Sequence, residues 1–486
     1  MSTWSRWQRG WVAEHPALIT TEGTLTYGGL TQRVARAAGW LRGRGVTQGN
    51  VVALQLPRCL AFLELHLACL AIGAATLPMN DRYTAREVAF LLDDSDARLA
   101  VLTDRVAAEL GRGVPASSAR GELDSAPEDA LDAVVSPDTL AVLCYTSGTT
   151  GRPKGACILH RNLIATVEAL HTAWRWCSDD VIVHALPMYH IHGLFLAQHG
   201  ALRAGAVAVW LDAFTADAAL GALARHHGTI FMGVPTFYHR LLQVADPLPD
   251  LSSVRLFTSG SAPLPAQVHR EFEARFGHRI LERYGMTEVG IVLSNPYDGE
   301  RRPGAVGFAL PQVEAKVIRA DGVRADVGEV GQICIAGPSV CAGYLGLPDR
   351  TASAIVDGWM HTGDLGRVDA DGYFHVVGRS KDLILVGGLN VYPRAVESVL
   401  CDHPGVAEAA VVGVPDADLG ERVVAAVVPR GVYGSVDPNA LAAWCRERLA
   451  AYKCPRAFHF VLELPRNNMG KVTKQVLRDR FAEGAS

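Results

Sequence analysis

The chain has 486 residues, 49% of them hydrophobic and 20% charged, with a formal net charge of −4. That length predicts two or more domains around a sizeable core, and the composition excludes a disordered chain. Both charge signs are mixed along the sequence, so neither nucleic acid nor an anionic membrane surface is expected as a partner. The ten cysteines are scattered without a CxxC pair, which argues against a disulfide framework or structural zinc and suits a reducing, cytoplasmic compartment. Residues 1–11 lack the apolar stretch of a signal peptide. The longest apolar run, residues 60–79, is interrupted by Glu64 and His66 and reads as a buried helix and strand, not a membrane span.

In chain order, residues 28–44 place Leu30, Val34, Ala37, Ala38 and Leu41 on one helical face. Residues 51–56, 75–78 and 99–103 read as strands, and 60–72 and 85–92 as helices. Such alternation indicates an α/β sheet with covered faces. Residues 104–137 are weakly patterned and read as a surface connection. A strand over residues 140–144 then enters Tyr145-Thr146-Ser147-Gly148-Thr149-Thr150-Gly151-Arg152-Pro153-Lys154-Gly155. Glycines there let backbone N–H groups face an anion. The hydroxyls of Thr146, Ser147, Thr149 and Thr150 can donate to phosphate or hold a metal ion, and Lys154 adds a point charge. The Walker spacing GxxxxGK[ST] is absent, and the residues alone fit either a phosphate cradle or a polar turn.

Beyond this loop, four predicted strands end in polar or glycine-containing loops. Residues 181–186 deliver Pro187-Met188-Tyr189-His190-Ile191-His192-Gly193, and residues 229–234 lead to Pro235-Thr236-Phe237-Tyr238. Residues 254–258 precede Ser259-Gly260-Ser261-Ala262-Pro263, and residues 279–283 precede Tyr284-Gly285-Met286-Thr287-Glu288. Ligands of open α/β sheets bind at the carboxyl ends of strands, so these loops are expected to converge. From 304 to 372 short strands and Gly/Asp turns predict a small β-rich subdomain containing His361-Thr362-Gly363-Asp364-Leu365. Gly378-Arg379-Ser380-Lys381-Asp382 reads as an interdomain linker. A compact α+β unit follows, and before its last helix stands Pro465-Arg466-Asn467-Asn468-Met469-Gly470-Lys471. Of the 46 basic residues only six are lysines, and Lys154, Lys381 and Lys471 all lie in glycine-containing stretches, where a compact ammonium serves better than a planar guanidinium.

Taken in order, YTSGTTGRPKG, ERYGMTE, HTGDLG, GRSKDLI with GGLNVYP, and PRNNMGK resemble the core motifs of the adenylate-forming acyl-CoA synthetase and luciferase superfamily, nearly end to end. The resemblance implies an α/β fold: a large N-terminal domain of α/β layers with a β-rich subdomain (1–380) and a small mobile α+β C-terminal domain (381–486). It implies two steps, attack of a carboxylate on the α-phosphate of MgATP and then displacement of AMP by a thiol, with ATP, Mg2+ and CoA as cofactors. The opening loop, with Thr146, Ser147, Gly148, Thr149, Thr150 and Lys154, would hold pyrophosphate, and Thr146 would assist Glu288 with Mg2+. Tyr284 would stack on adenine with Gly260, Ser261 and Ala262 at its edge, and Glu282, Gly285 and Met286 complete the nucleotide set. Thr287 would touch the α-phosphate, Asp364 the ribose with Arg379 beside it, and Lys471 the reacting oxygens. Lys381 would be the hinge, and rotation about it would bring Gly387, Gly388 and Leu389 to the CoA tunnel.

Arg283 bears on the acid. Together with SNPYDGERRPGAVG, the run ERYGMTE looks like the malonyl-CoA synthetase branch, and a guanidinium suits a second carboxylate. His190 and His192, on a loop expected to line the acyl pocket, add donors. The small-molecule partner expected is a dicarboxylic acid, malonate or methylmalonate. For Arg283 the other reading is an ion pair with a neighbouring acid such as Glu282, which would leave a medium-chain or aryl acyl-CoA ligase. A stand-alone enzyme loading a separate carrier protein, and a non-catalytic nucleotide-binding relative, also stand open. The apolar run Val289-Gly290-Ile291-Val292-Leu293 bears on methyl tolerance through the shape of the pocket.

Overall fold

Ile280–Met286, Leu256–Ser259, Ile230–Gly233 and Val181–His184 are successive neighbours in one nine-stranded sheet, and every pairing among them is parallel. Their carboxyl ends therefore open on one edge, as the four polar loops require. Ile230–Gly233 and Leu256–Ser259 are buried throughout, the state of strands covered on both faces. Past Val181–His184 the sheet continues through Val207–Trp210 to Pro16–Thr20 and Gly23–Thr26; on the other side it ends in the antiparallel Gly290–Ser294 and Phe308–Ala309. The computed structural model describes residues 2–146, 152–416, 418–431, 436–466 and 472–483.

A six-stranded sheet carries the glycine-rich loop. Its order is Val114–Pro115, Leu99–Leu102, Val51–Leu54, Ala75–Pro78, Leu140–Thr146, Lys154–Leu159. The last two strands pair antiparallel, with Thr146 opposite Lys154, so the base of the loop is closed by a ladder. The helix Leu60–Ile72 is buried at every position from Ala61 on, and its sequence is apolar on every face apart from Glu64 and His66. Residues 104–137 are not merely a connection. They form the helices Asp104–Leu110 and Ala116–Ser125, each with only two buried residues, too short an apolar stripe to show as a period.

Five strands, Glu314–Ile318, Gly331–Ala336, Ile355–Val356, Trp359–Val368 and Phe374–Arg379, form the β-rich subdomain. HTGDLG lies within the strand Trp359–Val368. The linker stretch divides: Arg379 ends a strand and Ser380–Asp382 is a single helical turn. The C-terminal unit is a five-stranded sheet built on the hairpin Val406–Asp416 and Gly420–Pro429, with Pro393–Cys401, Pro438–Arg448 and Lys474–Glu483 packed on it. All ten cysteines are free. Among the described residues no helix is long and apolar enough to cross a membrane.

Candidate active site

Successive residues of a strand face opposite ways, and this separates Glu282 from Arg283. The Glu282 carboxylate accepts from the Leu264 N–H at 3.3 Å and lies 3.6 Å from Arg394. Burial pushes it up to about 7, against the pull of Arg394. Within the protein its partners are thus Leu264 and Arg394. Arg283 faces the other way. It is 4% exposed, and its Nε and Nη2 have no hydrogen-bond partner among the described residues. Burial lowers its pKa to about 9, with only the Tyr238 hydroxyl acting to raise it.

His192 stands beside Arg283 in charge terms: burial and then Arg283 hold it well below the ordinary histidine range, so it is neutral. Its Nδ1 is 3.2 Å from Ser261 Oγ, and its Nε2 is buried without a partner among the described residues. The tight loop that presents it needs Gly193, where a Cβ would lie 2.1 Å from the Pro187 carbonyl oxygen. His190 accepts from the His192 N–H at 3.1 Å through Nδ1 and shapes the same turn. Ser261 has φ +68, a left-handed backbone that is uncommon outside glycine. Further buried atoms without a hydrogen-bond partner among the described residues stand at these strand ends: His184 Nε2, Thr258 Oγ1 and Ser259 Oγ. Buried polar atoms are otherwise nearly always paired, so such a group marks a place for water or a ligand.

At the end of the same strand, the Tyr284 hydroxyl donates to Asp364 Oδ2 at 2.6 Å, and Arg379 Nε lies 2.9 Å from Asp364 Oδ1. Asp364 is 5% exposed, its own N–H bonded to Thr362 Oγ1. Gly285 follows at a bulge; Met286 closes the strand and Thr287 and Glu288 occupy the turn after it. Glu288 is 3% exposed. Tyr344 donates to its Oε1 at 2.9 Å, and Lys154 Nζ lies 3.6 Å from that oxygen and 3.7 Å from the centre of the Tyr344 ring. Tyr344 was not singled out in the sequence; its partners are 56 and 190 residues away, beyond any local signal.

Thr146 Oγ1, at the mouth of the loop, is buried and without a partner among the described residues. An unpaired hydroxyl and a buried carboxylate joined through Lys154 suit a hard Mg2+ ion that takes most of its ligands from phosphate and water. Among the described residues no cluster of three His, Cys, Asp or Glu side chains forms a metal cage. Ser147, Gly148, Thr149, Thr150 and Lys471 lie outside the described residues. The bases of both turns are described: Thr146 pairs with Lys154, and Arg466 with Val472.

In the C-terminal unit, Gly387 and Gly388 have φ +56 and +79 and join Ile384–Val386 to Leu389–Val391, the two-residue turn that demands positive φ at both positions. Leu389 is 50% exposed, and Lys381 lies in the helical turn between the two units. The SNPYDGERRPGAVG stretch is a brace. Asn295 donates to the Glu282 and Ala305 carbonyls, and Arg302 pairs with Glu300, Asp369 and Asp371. Val289, Ile291, Val292 and Leu293 belong to the main core.

The AMP-binding enzyme family matches residues 4–345, and the AMP-binding enzyme C-terminal domain matches residues 395–471. A feruloyl-CoA synthase of Amycolatopsis is 38% identical over 98% of both chains, and a sulfoacetate–CoA ligase of Cupriavidus necator is 39% identical over 95% of this chain and 94% of its own. ATP-bound MatB from Rhodopseudomonas palustris, 41% identical, superposes over the whole of both chains with a TM-score of 0.94; the apo form of that protein gives 0.83. The chain belongs to the AMP-binding enzyme family, and is an acyl-CoA ligase of the adenylate-forming fold.

Proposed function

We propose that the chain is an ATP- and Mg2+-dependent malonate–CoA ligase. In the first step a malonate carboxylate oxygen attacks the α-phosphorus of ATP, the bond to the β-phosphate oxygen breaks, and pyrophosphate leaves. In the second, the CoA sulfur attacks the acyl carbon, the bond to AMP breaks, and the thiol proton passes to solvent. The first step is an in-line displacement, so the protein's contribution is positioning and charge stabilisation. The 145–155 loop with Lys154 takes the pyrophosphate, Thr287 the α-phosphate, Tyr284 the adenine, and Asp364 with Arg379 the ribose. Glu288 and Thr146 would hold Mg2+, which neutralises phosphate charge. Lys471 acts on the reacting oxygens, and Gly387, Gly388 and Leu389 border the CoA path.

The observation that carries malonate is Arg283. A buried guanidinium without an anion is costly, and a second carboxylate on the substrate would offset that cost. The competing reading named Glu282 as one such neighbouring acid, and Glu282 faces Arg394. The sulfoacetate–CoA ligase, whose acid carries a second anionic group, is as similar as the feruloyl-CoA synthase, whose acid does not; overall identity therefore does not choose between them.

Pyrophosphate release with CoA is measured across malonate, methylmalonate, acetate, octanoate, benzoate and ferulate. Malonate is expected to be the best acid. Arg283→Ala is expected to lose about 100-fold or more in malonate kcat/KM with acetate turnover little changed. Malonate no better than octanoate or ferulate would overturn the reading.

A further inference from the structure

Arg394 opens the helix Pro393–Cys401 of the C-terminal unit, yet two of its three guanidinium nitrogens reach the large domain. Its Nη2 lies 3.6 Å from Glu282 Oε1, and its Nη1 donates to the Val376 carbonyl. The Glu282 side chain is 2% exposed and that of Arg394 18%. Glu282 Oε2 has no other partner among the described residues. Among those residues three ion pairs join the C-terminal unit to residues before 380. The other two, Arg270–Asp402 at 3.6 Å and Arg430–Glu271 at 3.1 Å, are exposed at both ends and contribute little. The buried pair is different, because separating it leaves a carboxylate without its cation in the core. Glu282 is followed directly by Arg283 and Tyr284, so the contact ends on the strand that presents both groups to the site.

We propose that Arg394 is a positioning residue for adenylate formation: its pair with Glu282 seats the C-terminal unit, whose sequence carries Lys471, on the strand that holds Arg283 and Tyr284. This rests on the ligase reading above. The arrangement described here superposes better on the ATP-bound than on the apo form of MatB, with TM-scores of 0.94 and 0.83 at the same 41% identity. A contact that seats the unit belongs to the half-reaction that uses ATP and is dispensable to the one that uses CoA. Neither side chain touches the reacting atoms in this account, so the effect is one of coupling between the two units.

Two steps are measured separately in the full chain with the best acid of the panel. One is ATP–pyrophosphate exchange. The other is the single-turnover rate of thioester formation when enzyme preloaded with ATP and acid is mixed with CoA. Arg394→Met is expected to slow exchange by about tenfold or more and to leave the thioester step unchanged. Arg394→Lys is expected to restore most of the exchange. The double variant Glu282→Gln with Arg394→Met leaves no uncompensated buried charge, so it tests the same split if the single variant does not fold. Equal losses in both steps, or normal exchange in the double variant, would overturn the proposal. Absence of exchange in the unmutated chain would instead overturn the ligase reading.

Discussion

Gly260 lies so close to the guanidinium of Arg283 that a Cβ at Gly260 would stand 2.3 Å from Arg283 Cζ and 2.5 Å from its Nε and Nη1. The missing side chain is the space in which the arginine head sits. Gly260→Ala is expected to displace Arg283 and to lower kcat/KM for the acid by about 100-fold, the scale of an ångström-sized misplacement. KM for ATP should change less. A steady-state comparison of the two substrates checks this, and an effect on ATP alone would refute it.

Asp364 holds Tyr284 and Arg379 through separate oxygens, at 2.6 Å and 2.9 Å. Asp364→Asn removes the charge under Arg379 and turns one acceptor into a donor. KM for ATP is expected to rise about 10- to 100-fold, the scale of a hydrogen bond to a charged group. The KM for CoA, measured at saturating ATP, should stay within about twofold on the same scale. Equal rises in both would place the residue in general stability.

Tyr344 meets Glu288 with its hydroxyl and Lys154 with its ring face. Tyr344→Phe keeps the face and deletes the donor, whereas Tyr344→Leu deletes both. Loss of one hydrogen bond to a charged group is worth about 1.5–3 kcal/mol. Pyrophosphate exchange should therefore fall in Phe and fall further in Leu, with a higher Mg2+ concentration needed for half-maximal rate. An unchanged Mg2+ requirement in Tyr344→Leu would separate this tyrosine from the metal.

Histidines in the core give the fold an acid limit. The Trp7 indole N–H donates to His199 Nδ1 at 2.9 Å, so His199 carries its proton on Nε2 and donates to His66 Nε2 at 2.8 Å; His66 in turn donates from Nδ1 to Thr76 Oγ1 at 2.8 Å. A proton added to His66 would set two N–H groups face to face. Burial lowers His66 to about 3 and, in the same core, His160 to about 4. Both folded values lie below the unfolded value near 6.5, so the unfolded chain binds more protons between those limits. Stability is then full above pH 6.5 and is lost as pH falls toward 4 and 3, by up to about 1.4 kcal/mol per pH unit for each histidine. Calorimetry of the large domain from pH 7.5 to 4.5 should show a flat Tm above 6.5 and a falling one below. A flat profile down to pH 5 would contradict this.

Strands and buried helices of the large domain were legible because their signals are local. Residues 60–72 and 75–78 read as helix and strand at the same bounds the structure has, since a long, mostly apolar run followed by Gly73 leaves little choice. The convergence of four strand-end loops also followed, from the general rule for parallel sheets. What misled was weak amphipathicity, as in residues 104–137. HTGDLG, placed only within a β-rich subdomain by the sequence, lies in a strand whose alternate residues Met360, Thr362 and Asp364 are buried.

Family and fold were therefore in the sequence, carried by motifs whose order is itself information. The sequence left Arg283 poised between two partners, a neighbouring acid and a substrate. Only the tertiary structure decided that Glu282 is turned the other way, because a strand alternates its faces and the C-terminal unit brings Arg394 to the far one. Pairings such as Tyr344 with Glu288, and Arg394 with Glu282, join residues 56 and 112 positions apart. Their energy depends on burial and distance, and neither quantity exists until the chain has folded.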